Sequence, residues 1–282
     1  MRSLNSQHPG LSLRICSKGG CLLASPELAE GRRCVHFALT PSVAVELNER
    51  LMRLDKFVCK STEYTKAEAV QLIHAGQLTV NGTAIMNEAA QVHENNTITL
   101  NGECLQAREF RYLLMHKPLG TICSNVDEGY PSLFNSLQIE KVSELHVAGR
   151  LDVDTTGLVL ITDDGRWTFD IIRPLNNCQK VYRVGLSREL SEDLIEQFKK
   201  GLHLHGESQL ARAAELQILA PKEARLTITE GRFHQVKRMF VAVGYRVVSL
   251  HREQIGEIAL DVPLGEWRYL TNDEVQSFAA VI

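Results

Sequence analysis

An α+β fold in two parts is what this sequence predicts: a small unit of two helices and hairpins, then a larger one on a mixed, mostly antiparallel sheet. Three observations lead there. Residues 52–108 carry two short helical periods followed by strand runs with Asn81-Gly82 and Asn101-Gly102 between them, the dipeptides that tight hairpins prefer. Beyond Arg108, short apolar runs of strand length dominate, and only two amphipathic helical segments interrupt them. The chain of 282 residues, 44% hydrophobic with a formal charge of -3, is long enough to bury a sizeable core.

The elements follow in order. Residues 1–51 show no sustained period and are expected to be a disordered extension or translated sequence upstream of a start at Met52; Glu27, Glu30, Glu46 and Glu49 speak against a transit peptide. Leu54, Phe57 and Val58 give one face of a first helix. Thr65-x-x-Glu68 is a capping box opening a second, whose Ala69, Leu72 and Ile73 share a side before Gly76 stops it. Strands are expected at 78–80, 83–85 and 97–100, and in the larger unit at 112–115, 159–162, 181–184, 226–229 and 247–251. Ser191 is expected to cap a helix running to Gly201 with Leu194, Ile195 and Phe198 inward. Another begins near Phe233 and ends at Gly244 with Val236, Phe240 and Val243 along one side.

Composition removes several function classes. The seven cysteines (Cys16, Cys21, Cys34, Cys59, Cys104, Cys123 and Cys178) include no Cys-x-x-Cys and are odd in number, so they are expected as reduced thiols in neither a zinc site nor a disulfide framework. No apolar run approaches the roughly 18 residues that span a bilayer. A cytoplasmic protein without membrane contact is the expectation. The near-neutral balance signals no nucleic-acid partner globally, so such a partner must be recognised by local charge.

The segment GRLDVDTTG at 149–157 carries two carboxylates, Asp152 and Asp154. A magnesium-dependent phosphatase of the haloacid-dehalogenase type presents Asp-x-Asp-Thr at the end of an apolar strand and needs a second acidic pair far downstream. Here Gly149-Arg150 intervenes before the first Asp, and the only Asp-Asp, Asp163-Asp164, follows nine residues after Asp154 in a predicted turn. No metal site is predicted. The other reading is a lone Asp nucleophile beside cations. Between residues 225 and 252 stand Arg225, Arg232, Lys237, Arg238, Arg246 and Arg252 against a single acid, Glu230. Arg232 is expected by a helix N-terminus, where free N–H groups favour an anion, with Lys237 one turn later. His203 and His205 lie on one face of any strand but lack a third ligand, and are read as surface or packing residues.

Six motifs in order carry a resemblance: HKPLGTICS at 116–124, AGRLDVDTTGLVLITDDG at 148–165, Lys180-x-Tyr182, EGRFHQVKRM at 230–239, LHREQIG at 250–256 and PLGEWRYLT at 263–271. From Met52 to the end the sequence resembles the bacterial pseudouridine synthases of the small-subunit ribosomal type. The RLDKF and AGQLTVNG stretches within 52–108 resemble an S4 RNA-binding domain, although Thr65-Lys66 stands where that family usually shows Ser-Arg. The resemblance implies a catalytic domain at 109–282 with a central active-site cleft, and isomerisation of one uridine, position 516, in 16S small-subunit ribosomal RNA. Action on the large-subunit 23S RNA is the alternative.

The resemblance also assigns roles. Asp152 would be the nucleophile, attacking C1' or C6; Tyr182 would stack on the base and move a proton; Lys237 would keep Asp152 ionised. Arg150, Arg232, His234, Arg238 and Arg252 would contact RNA around a uridine flipped from its stack, and Arg53, Lys56 and Lys66 would present charge from the S4-like domain. Asp154, Thr155 and Thr156 are expected to bond local backbone N–H groups and set the turn. No metal or other cofactor is implied; the partner would be small-subunit ribosomal RNA or the assembling subunit, and the protein a monomer. A noncatalytic RNA-binding factor is the reading from another class, and the intact Asp152, Tyr182 and Lys237 weigh against it.

Overall fold

The computed structural model describes residues 51–93 and 95–278; the expectations for residues 1–50, including Cys16, Cys21 and Cys34, lie outside them. The described residues from Met52 to Phe278 belong to one compact unit. Strand β1 (Leu51–Arg53) leads into helix α1 (Leu54–Ser61), and α2 (Lys66–His74) follows. The α2 capping box forms as the sequence dictates: Thr65 Oγ1 accepts from the Glu68 N–H and the Glu68 carboxylate accepts from the Thr65 N–H at 2.7 Å. Next come β2 (Leu78–Val80), β3 (Thr83–Ala84), β4 (Gln91–His93), β5 (Ile98–Leu100) and β6 (Glu103–Cys104). The sheet order is β3-β2-β5-β6, with β1 beside β4. Asn81 and Gly82 both adopt positive φ, 51° and 81°, which turns β2 into β3 with the twist a hairpin needs. Leu54, Phe57, Val58, Ala69, Ile73, Leu78, Val92 and Ile98 close a small core.

Lys60 in α1 is buried, with its ammonium 3.0 Å from the centroid of the Phe110 ring. Burial pushes its pKa down to about 8. Between about 8 and the ordinary 10.5 the unfolded chain holds a proton that the folded chain has released, so stability rises with pH across that window. Below it the penalty of burying the charge is fully present. Lys60→Met should therefore raise unfolding free energy by about 1–3 kcal/mol at pH 7, a gain that shrinks as pH climbs above 8. Urea denaturation at pH 7 and at pH 10 checks this, and a variant less stable at pH 7 contradicts it.

The larger part carries β7 (Tyr112–Lys117), β8 (His146–Ala148), β9 (Thr156–Thr162), α3 (Gly165–Ile172), β10 (Lys180–Leu186) and α4 (Asp193–Lys200). Then follow β11 (Glu215–Ala220), β12 (Glu223–Ile228), α5 (Gln235–Ala242), β13 (Val247–Ile255), β14 (Ile258–Ala259), β15 (Trp267–Tyr269) and α6 (Asn272–Gln276). One sheet runs β11-β12-β10-β13-β9-β7-β15, with β14 on β13 and β8 on β9. All these pairings are antiparallel except β13 with β9, so the sheet is mixed and mostly antiparallel.

Strand β9 shows why this is the centre. Its Gly157 to Thr162 are all buried, a continuous run that only a strand covered on both faces tolerates. Leu113, Met115, Val159, Ile161 and Val184 pack with α4 and α5 on one face; Leu114, Leu158 and Leu160 pack with Trp167 and Ile171 of α3 on the other. Where β9 meets β13 in parallel, Gly157 lies opposite Arg252, and a Cβ there would sit 2.3 Å from the Arg252 carbonyl oxygen. Only glycine permits that approach, at a φ of +113°.

Several expectations are corrected. Ser191 does not cap α4: its hydroxyl donates to the Asp193 carboxylate, Glu192 is the capping residue, and Ile195 faces solvent while Leu194 and Phe198 are buried. Helix α5 starts at Gln235 rather than near Phe233, because His234 takes a left-handed conformation at φ 48° that no helix interior accepts. Asp164 is no simple turn residue but the N-cap of α3, accepting from the Arg166 and Trp167 N–H groups.

Candidate active site

Residues 149–155 join β8 to β9, and neighbouring elements grip that turn on several sides. Arg252 on β13 is 1% exposed; its guanidinium donates to the carbonyls of Leu158 and Gly149, each at 2.7 Å, and lies 3.4 Å from the Tyr182 hydroxyl. Tyr182 and Arg252 are register partners on β10 and β13, which is why the two side chains meet. Fully buried Lys117 at the end of β7 donates to the Thr155 carbonyl at 2.9 Å, and burial lowers its pKa against the pull of Asp152 and Asp154. The Gly120 N–H donates to the Val153 carbonyl, and the Leu151 N–H to the Cys123 sulfur.

Held this way, Asp152 projects its carboxylate toward the start of α5. Its Oδ2 accepts from Lys237 Nζ at 2.8 Å, and its Oδ1 lies 3.3 Å from His234 Nε2. Lys237 also donates to Asp154 Oδ1 at 2.5 Å, bridging the two carboxylates. Burial disfavours the Lys237 ammonium, yet hydrogen bonds to Asp152 and Asp154 outweigh it and hold its pKa above the ordinary lysine value. The same hydrogen bond pulls the Asp154 carboxyl below its usual range. Asp154 is 65% exposed where Asp152 is 31% exposed, so the more sheltered carboxylate is Asp152.

The pairing of Asp154 with Lys237 corrects the expectation that Asp154 bonds only local backbone. Thr156 likewise reaches across the sheet, its Oγ1 lying 2.8 Å from His251 Nδ1, while the Thr155 hydroxyl is buried without a hydrogen-bond partner among the described residues. What closes the turn locally is the Thr155 N–H donating to the Asp152 carbonyl at 3.1 Å.

The cationic cluster read from the sequence is largely neutralised by its own fold. Arg232 bonds Glu230, the carbonyls of Gln209 and Leu210, and Glu207; Arg238 bonds Glu207 and the His205 carbonyl. Both guanidinium groups fasten residues 205–210 against the start of α5, and Arg252 is internal, so all three are engaged within the protein. Arg225 pairs with Glu253. Arg150 is exposed and makes no hydrogen bond or ion pair among the described residues. In the N-terminal part Lys56 and Lys66 are exposed, whereas Arg53 clasps the buried carboxylate of Asp55 with two bonds of 3.0 and 2.9 Å.

Sequence reasoning missed Glu230 and Gln235. Buried Glu230 accepts from Gln235 Nε2 at 2.7 Å and from the Arg212 N–H, while Gln235 Oε1 accepts from the Arg232 N–H. That network fixes the left-handed His234 between them. An acid, an arginine and a glutamine crowded around one turn were the available signal. His203 and His205 line a cavity of about 600 Å³ together with His234 and Lys237.

Comparison with known proteins gives the context for this geometry. The family model described as RNA pseudouridylate synthase matches residues 111–242, and the S4 domain model matches residues 52–98. Ribosomal small subunit pseudouridine synthase A of Vibrio cholerae is 45% identical over 228 residues, covering 80% of this chain and 99% of that protein. The protein of the same name from Escherichia coli K12 is 44% identical over 229 residues, with the same coverage. A crystal structure of a pseudouridylate synthase superposes with a TM-score of 0.60 at 39% identity, covering 80% of this chain and 99% of that one.

Proposed function

The chain belongs to the RNA pseudouridylate synthase family, and from that premise we propose that it converts one uridine of small-subunit ribosomal RNA to pseudouridine with Asp152 as nucleophile. The observation that carries this is the carboxylate of Asp152, set in a rigid turn and held at its two oxygens by Lys237 and His234. The isomerisation breaks the N1–C1' bond, turns the uracil and forms C5–C1'; a proton leaves C5 and one arrives at N1, so nothing is consumed. A carboxylate serves either by attacking C1' as uracil departs with its electron pair, or by adding to C6 of the base. Tyr182, 7% exposed and next to Arg252, offers a ring face for the detached uracil and a hydroxyl through which a proton can move.

The target in this reading is uridine 516 of the 16S RNA, which is what the resemblance of the motifs around Asp152 and Lys237 to the small-subunit type implies, and the 44–45% identity to proteins named for the small subunit supports that choice. Arg150 contacts the backbone where the base has left its stack, and Lys56 and Lys66 give the S4 domain at 52–108 a separate hold on RNA whose effect multiplies with that of the catalytic domain at 109–282. A monomer acting in the cytoplasm on the assembling subunit completes the proposal. Mapping pseudouridines in ribosomal RNA from cells lacking the protein tests it. One site should vanish from the small-subunit RNA; a site lost only from the large-subunit RNA would overturn the choice of substrate.

A further inference from the structure

Phe233 is the most exposed of the large apolar side chains among the described residues, at 75%. A phenyl ring bare to water beside charged groups adds nothing to the apolar core of the isolated protein. Its surroundings are specific. The left-handed backbone at His234 turns two consecutive side chains to one side, and the Phe233 and His234 rings stack with centroids 3.7 Å apart and planes 22° from parallel. His234 is in turn the residue whose Nε2 lies 3.3 Å from Asp152 Oδ1. A single imidazole therefore separates the phenyl ring from the candidate nucleophile. The position is also fixed from beneath: the Phe233 carbonyl accepts from Arg238 at 3.2 Å, and the Glu230, Arg232 and Gln235 network holds the turn on either side.

An enzyme that pulls one nucleotide out of a stack leaves its neighbours with an uncovered face, and aromatic side chains substitute for the missing partner regardless of base identity. We propose that Phe233, backed by His234, is a stacking platform for the nucleobase directly adjacent to the target nucleotide. The proposal rests on the functional reading above and adds to it a second contact, one that binds substrate without touching the reacting atoms. The outer ring face receives the neighbouring base. Its contact forms on binding and persists through the reaction, so its loss appears in KM and not in kcat.

The test uses the purified full-length chain and a ribosomal RNA fragment bearing the target, in single-site kinetics. Base–aromatic stacking is worth about 1–3 kcal/mol, so Phe233→Ala should raise KM by roughly 5- to 150-fold with kcat held within about threefold, and Phe233→Trp should restore KM. Replacing the adjacent nucleotide by an abasic one should raise KM for the wild-type protein by a similar factor and leave the alanine variant nearly unaffected. Unchanged KM in Phe233→Ala, a loss confined to kcat, or an abasic penalty equal in both proteins would each overturn the platform. Pseudouridine formation by the wild-type protein in the same assay is the control on the functional reading, and its absence would overturn that reading and the platform with it.

Discussion

Asp152→Asn should lower pseudouridine formation by at least about 10⁴-fold while leaving the fold and RNA binding in place. The amide keeps the shape of the carboxylate but has neither its charge nor its nucleophilic oxygen. It can still accept from Lys237, so the turn between β8 and β9 should hold, and thermal unfolding should change little. Asp154→Asn is the informative companion. Asp154 shares Lys237, yet it is twice as exposed as Asp152, and the His234 ring nitrogen pairs with Asp152, so the Asp154 variant should retain most of its turnover. Pseudouridine counted by mass spectrometry of digested RNA separates the two. Equal inactivation of both folded variants would place the chemistry on the pair and not on Asp152 alone.

Arg252→Met should cost about 3–5 kcal/mol of stability. Methionine fills similar space, but it leaves the carbonyls of Leu158 and Gly149 buried without the charged donors that each lies 2.7 Å from, and hydrogen bonds to charged groups contribute about 1.5–3 kcal/mol each. Arg252→Lys should recover part of the loss, since an ammonium reaches one carbonyl and cannot span both. Equilibrium denaturation with urea measures both variants. A methionine variant within about 1 kcal/mol of the parent would mean that the two carbonyls find other donors and that the turn carrying Asp152 does not depend on this side chain.

How far the sequence alone reached depended on the range of the interaction. Local rules sufficed for the N-terminal part: the Thr65 and Glu68 capping box, the Asn81-Gly82 turn and the buried face of Leu54, Phe57 and Val58 all form from residues within four positions of one another. The same rules contained α3, since Asp164 is followed by Trp167 and Ile171 at helical spacing, but the Asp163-Asp164 pair drew the eye to a turn. Strands β8, β14 and β15 span two or three residues each, too short for any period to register, and no Asn-Gly turn stands beside them to mark them as it does β2 and β5.

By itself the sequence determined that Asp152 stands in a turn beside an arginine, that a cation-rich segment lies far downstream, and that both sit in ordered motifs of one family. Only the tertiary structure decided which charges meet. Asp152 and Lys237 are 85 positions apart, and what brings them to 2.8 Å is the parallel pairing of β9 with β13, permitted by Gly157, together with the packing of α5 on the sheet. The same packing spends Arg232, Arg238 and Arg252 on internal carbonyls and carboxylates and leaves Phe233 in the open. Charge is written in the sequence, but whether a charge is free, paired or buried depends on neighbours that arrive through space.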